Sequence, residues 1–159
     1  MELAVQLISA VGPYRLNASI ENLEGLRELS RLEYLTLPKT FAGEKIYEAP
    51  ELEFLDFRWN VFIGVHRGRI YKISPQFITK DIGKAQQAFT GPFAHFLSVM
   101  GEPAERMGSG VIWRTTEGNV ILEQERHRDI HLVQFFLTSG LPAQQQSIIS
   151  NVLMLLSFS

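Results

Sequence analysis

Trp59-Asn60-Val61-Phe62-Ile63-Gly64-Val65-His66-Arg67-Gly68-Arg69-Ile70-Tyr71-Lys72-Ile73-Ser74 is the stretch on which the fold reading turns. Aromatic and β-branched side chains suit a pleated surface, and Arg67-Gly68 suits a tight turn, so these residues read as an antiparallel hairpin. A two-residue loop predicts Val65 opposite Ile70, Gly64 opposite Tyr71 and Phe62 opposite Ile73. Tyr71 would then lie over the bare backbone of Gly64. Trp59, Val61, Ile63 and Val65 share the other face, so both faces are expected to be largely apolar. One face calls for a helix, and the other for a second layer, a partner or a ligand.

Towards the N-terminus, Leu52 to Phe57 reads as a further strand. Residues 17–32 read as a helix: Asn17 or Ser19 can cap it, Glu21 sits in its first turn, and leucines recur every three residues. Met1 to Ile8 alternates weakly and reads as a strand that ends at Gly12-Pro13.

Towards the C-terminus, Asp81 to Met100 is the second predicted helix, with Ala85, Ala88, Phe89, Phe93 and Phe96 near one side. Gly91-Pro92 predicts a kink or a split, and Gly101 is placed for a left-handed cap. Val111 to Thr116 and Asn119 to Glu125 form a second hairpin, turning at Glu117-Gly118. Its core face carries Val111, Trp113, Thr115, Val120 and Leu122; Arg114, Asn119 and Glu123 are expected on a wet face. Ile130 to Thr138 places Val133, Phe135 and Leu137 towards the core. Pro142 to Leu156 suits a last helix.

The order is β-α-β(3–4)-α-β(3)-α. The class expected is α+β, with antiparallel sheet and helices packed on one face, in a single domain over residues 1–159. Residues 14–78 and 79–140 resemble each other faintly, each with a tryptophan ahead of a glycine turn, which suggests a weak duplication followed by the helix at 142–156. In size and in this alternation the chain loosely resembles type III secretion chaperones, small dimeric cytoplasmic proteins that bind unfolded effector segments. It equally resembles tandem α/β inhibitory modules. Both resemblances are of order and size, and no residue is carried over from either.

The totals narrow the function classes. A chain of 159 residues with 45% apolar and 20% charged side chains can bury a core of its own. Net charge of −2 gives no global attraction for nucleic acid or an anionic membrane, so neither partner is expected. The absence of cysteine excludes disulfides, thiolate metal sites and thiol nucleophiles. The first residues lack a basic signal-peptide region, and the apolar run 148–158 is about half the length a membrane span needs. A cytoplasmic location is expected.

No catalytic signature emerges. His127 and His131 lie four apart on strand-like sequence, which separates them by roughly 13 Å, so no metal site is expected. Gly108-Ser109-Gly110 precedes a strand, whereas a phosphate cradle needs a helix N-terminus. Glu123 and Glu125 read as solvated surface, and no cofactor is expected.

The surplus of apolar surface points first to a non-catalytic protein-interaction module, chaperone- or adaptor-like, acting as a homodimer or with a protein partner. The alternative is a small-ligand (anion) binding protein or minor enzyme with a pocket between the sheet and helix 81–100. Its candidate binding residues are Trp59, His66, Arg67, Arg69, Tyr71 and Trp113: a basic hairpin tip, with Tyr71 as a stacking surface.

Overall fold

In the computed structural model, which describes residues 10–30, 44–115 and 118–139, ten strands and one helix follow one another. They are β1 (Ala10–Val11), β2 (Tyr14–Arg15), β3 (Arg27–Glu28), β4 (Lys45–Phe54), β5 (Phe57–His66), β6 (Arg69–Thr79), α1 (Ile82–Met100), β7 (Glu105–Met107), β8 (Gly110–Arg114), β9 (Gly118–His127) and β10 (Ile130–Ser139). β1 and β2 pair alone. The other eight form one antiparallel sheet in the order β3-β4-β5-β6-β10-β9-β8-β7. Two meanders, β3–β6 and β7–β10, are thus joined edge to edge where β6 pairs with β10.

This corrects the expected class. Over the described residues, 57% are in strands and 17% in the helix, so the fold is mostly antiparallel β-sheet, not several helices packed on a sheet. The predicted helix over 17–32 does not form across the described residues 17–30. Its backbone is spent on the sheet instead: Asn17 N–H donates to the Ile70 carbonyl, Ile70 N–H to Ala18, and Leu29 N–H to Ile46. Leu23, Leu26 and Leu29 still face inward, so the leucine spacing serves a coil lying on the core. Tertiary pairing outweighs a helix propensity worth only tenths of a kcal/mol per residue. The strand expected at residues 1–8 and the helix at 142–156 lie outside the described residues.

The predicted helix at 81–100 forms. Asp81 is its N-cap, its Oδ1 accepting from Lys84 N–H at 3.1 Å, and Gly101 (φ 78°) closes it by donating to the Leu97 carbonyl. One continuous helix passes through Pro92. Among the described residues no helix is long and apolar enough to cross a membrane.

α1 covers one face of the sheet. Trp59, Val61, Ile63, Val65, Trp113, Val120, Leu122, Val133, Phe135 and Leu137 lie buried beneath it and beneath the N-terminal coil, as their alternation requires. Phe96 packs on Phe135 and Trp113 at ring-centroid distances of 5.4 and 5.5 Å, and Trp59 meets Phe135 at 5.5 Å. The space between sheet and helix is therefore occupied by aromatic side chains where a pocket was expected.

The opposite face departs from expectation at one residue. Val65 pairs with Ile70 as predicted, but Gly64 then pairs with Lys72 and Phe62 with Ser74, leaving Tyr71 as the extra residue of a β-bulge. Ile63 and Ile73 become partners, so Ile73 turns to the core. The apolar second face of Phe62, Tyr71 and Ile73 does not exist.

One row crosses this face in register: Asn60 opposite Gln76, Gln76 opposite Gln134, Gln134 opposite Glu123, and Glu123 opposite Gly110. Gln76, Gln134 and Glu123 are buried, as are Ile112 and Ile121 beside them. The face expected to be wet around Glu123 is dry at its centre.

Candidate functional site

The six candidate residues do not form one site. Trp59 and Trp113 are core side chains whose indole N–H groups are used internally, Trp59 donating to the Phe54 carbonyl at 3.0 Å and Trp113 to Gly101 at 2.9 Å. Tyr71 is only 5% exposed, lies against Gly64, and carries the Lys72 ammonium 5.7 Å from its ring centroid. It offers no open stacking surface.

His66, Arg67 and Arg69 stay together at the end of the central hairpin. Arg67 (φ 53°) and Gly68 (φ 75°) both adopt the left-handed conformation, the signature of a two-residue I′ turn. Glycine takes this conformation freely; arginine does so at a cost, and its side chain projects from the tip. Arg69 donates from Nη1 to the Asn17 carbonyl at 2.8 Å, and its backbone bridges to Ser19. These bonds bring the N-terminal coil, with Arg15 just before it, to the same end of the sheet. Lys45, paired with Val65 at the start of β4, arrives from the other side.

Arg15, Lys45, Arg67 and Arg69 are all exposed, and among the described residues none has an ion-pair partner. Of the other described cations, Lys84, Arg126 and Arg128 also have no ion pair, Arg126 Nε donating instead to the Arg128 carbonyl at 2.8 Å, and six are paired. Arg27 pairs with Glu48, Arg58 with Glu53 and Glu51, Lys72 with Glu44, Lys80 with Asp129, Arg106 with Glu102, and Arg114 with Glu105. Glu44 is buried and held by Lys72 at 3.2 Å; Glu21, beside the Ile20–Gly68 backbone contact, pairs with none of the four. A chain of net negative charge thus keeps four cations without ion pairs at one end of the sheet. Their guanidinium and ammonium groups can donate charge-assisted hydrogen bonds to carboxylate or phosphate oxygens.

The second chemically distinct feature is the buried row. Gln76 Nε2 donates to Gln134 Oε1 at 3.1 Å, and Gln134 Nε2 donates to Glu123 Oε1. Burial pushes the Glu123 carboxyl up to about 7, against the Gln134 hydrogen bond that favours its ionised form, and the Glu125 charge adds to the rise. Glu125 is itself raised by burial. A carboxyl with such affinity for a proton can serve acid–base chemistry, yet the side-chain hydrogen bond recorded for Glu123 comes from an amide.

Sequence reasoning found the hairpin tip but missed Arg15 and Lys45, whose approach depends on strand pairing. The row was beyond reach, since its members are 58 and 11 residues apart along the chain. His127 and His131 fall on β9 and β10, opposite Ile130 and Arg126.

No family model, no curated protein and no solved structure matches this chain.

Proposed function

We propose that the chain is a non-catalytic binding module that grips an acidic segment of a protein partner at the β5–β6 hairpin end. The observation behind this reading is a convergence of charge: Arg15, Lys45, Arg67 and Arg69, all exposed and without ion pairs, come to one end of the sheet, and six of the other described cations are matched to carboxylates. An acidic peptide suits this end better than nucleic acid. Net charge is −2, which disfavours a long polyanion, and buried Tyr71 removes the aromatic platform on which a base would stack. Self-association through an apolar hairpin face loses its motive, because the bulge at Tyr71 turns Ile73 into the core.

The test is fluorescence anisotropy with a labelled glutamate-rich peptide, at ionic strength near 0.01 M and then at about 0.15 M. Binding should be measurable at low salt and weaken with added salt. Exposed charges contribute about 0.5–1 kcal/mol each, so Arg67→Glu combined with Lys45→Glu should weaken binding at least tenfold. Arg58→Ala, which removes a cation already paired, should change it little. Binding lost equally in all variants, or undetectable in the wild type at low salt, rules the reading out.

A further inference from the structure

We infer that the Gln76–Gln134–Glu123 row is a proton-operated latch across the junction of the two meanders, closed when Glu123 carries a proton and loosened when it does not. The inference is independent of the hairpin end. It stands on where the row lies: Gln76 belongs to the first meander, Gln134 and Glu123 to the second, and the Gln76–Gln134 bond spans the β6–β10 pairing that unites the sheet.

Glu123 is 5% exposed, and among the described residues no cation pairs with it. On one side its neighbour is the Gln134 amide; on the other it is Gly110, where even a Cβ would come within 3.1 Å of the Glu123 Cβ. His127 of β9 and Lys80, just past β6, lie farther along this face, Lys80 held by Asp129 at 3.8 Å; the other charged groups on it are nearer. Glu125, two residues along β9, is a like charge with a buried carboxylate oxygen that lacks a hydrogen bond. Arg114 of β8 is held by Glu105 of β7 at 3.1 Å, and Lys72 of β6 by Glu44. Arg58 of β5 is held by Glu53, and the residues of β10 facing this side, Leu132, Gln134, Phe136 and Thr138, are uncharged.

An ionised Glu123 is therefore a buried charge with an amide donor, a like-charged neighbour and no counter-ion. Such a charge strongly favours states in which water reaches it. The protonated carboxyl removes that penalty while still accepting from Gln134. Separation of β10 from β6 is the motion that would admit water along the row. With the carboxyl raised to about 7, the change falls in the neutral range.

The measurement is amide hydrogen exchange of the full chain along β6 and β10, corrected for intrinsic rates, at about pH 6 and about pH 8. Linkage predicts a roughly tenfold rise in the opening constant between those values for the wild type, a flat profile for Glu123→Gln, and a retained rise for Glu125→Gln. A wild-type constant that does not change, or an equal rise in Glu123→Gln, overturns the latch. The ¹³C titration of the Glu123 carboxyl in the wild-type chain gives a check that needs no variant. A neutral midpoint supports the latch, and an ordinary carboxylate midpoint overturns it.

Discussion

Tyr71 lies on Gly64: three atoms of its ring end sit 2.9 Å from the point where a Cβ of residue 64 would stand. The contact crosses from β6 to β5 at the bulge, and Tyr71 is 5% exposed as a result. The bulge pushes Tyr71 out of register, and the missing side chain at Gly64 gives it a floor. The two irregularities support one another.

Gly64→Ala should therefore destabilise the fold by about 1–3 kcal/mol, the usual cost of overpacking. Gly64 shows no positive φ, so the cost is steric and not conformational. Chemical denaturation of Gly64→Ala, Tyr71→Ala and the double variant measures it. Strong non-additivity is expected, because removing the ring removes the clash; additive losses would show that the two residues do not bear on each other.

Arg67 and Arg69 should separate stability from binding. Arg69→Ala breaks the bond to the Asn17 carbonyl and should cost about 1 kcal/mol, with faster proteolysis of the 10–30 coil. Arg67 projects from the tip without an ion pair, so Arg67→Ala should leave stability unchanged and weaken peptide binding. Urea melts and limited proteolysis of both variants decide the matter, and equal destabilisation by the two would contradict it.

Global stability should fall as pH rises through the neutral range. The Glu123 carboxyl titrates at about 7 in the folded chain against 4.5 for the ordinary group. Between those values the folded state holds a proton that the unfolded state has released, so stability declines with pH by a total on the order of 3 kcal/mol. His95 acts in the opposite sense: burial lowers its pKa, so what it contributes is lost as pH falls. Glu123→Gln isolates the first effect. In urea denaturation it should match the wild type near pH 5 and exceed it by 2 kcal/mol or more at about pH 8. A difference that does not vary with pH would refute the assignment.

Much of the local structure is legible in the residues. Asp81 and Gly101 bracket the long helix because a carboxylate can accept N-terminal N–H groups and glycine freely takes the positive φ of 78° at the C-terminal end. Arg67-Gly68 closes the central hairpin, and alternation assigns Trp59, Val61 and Ile63, like Val133, Phe135 and Leu137, to the core. The leucines of 17–32 mislead, since a three-residue spacing fits a helix face equally well as a coil whose backbone is tied to Ile70 and Ile46. The candidate site is legible only at its tip: Arg67 and Arg69 are adjacent in sequence, while Arg15 and Lys45 reach that end through pairing with distant strands.

What the sequence determined by itself is the strands of the central and last hairpins with their turns, and the one described helix, because each depends on side chains within a few positions of one another; the strand expected over 52–57 is divided by the turn at Leu55–Asp56, and the segment 17–30 is coil with the short β3. Three things were decided only in the tertiary structure: the bulge at Tyr71, the joining of β6 to β10, and the burial of Glu123 beside two glutamines. The physical reason is common to all three. A single-residue shift in register reverses which face a side chain occupies, and that shift is set by contacts between strands far apart along the chain.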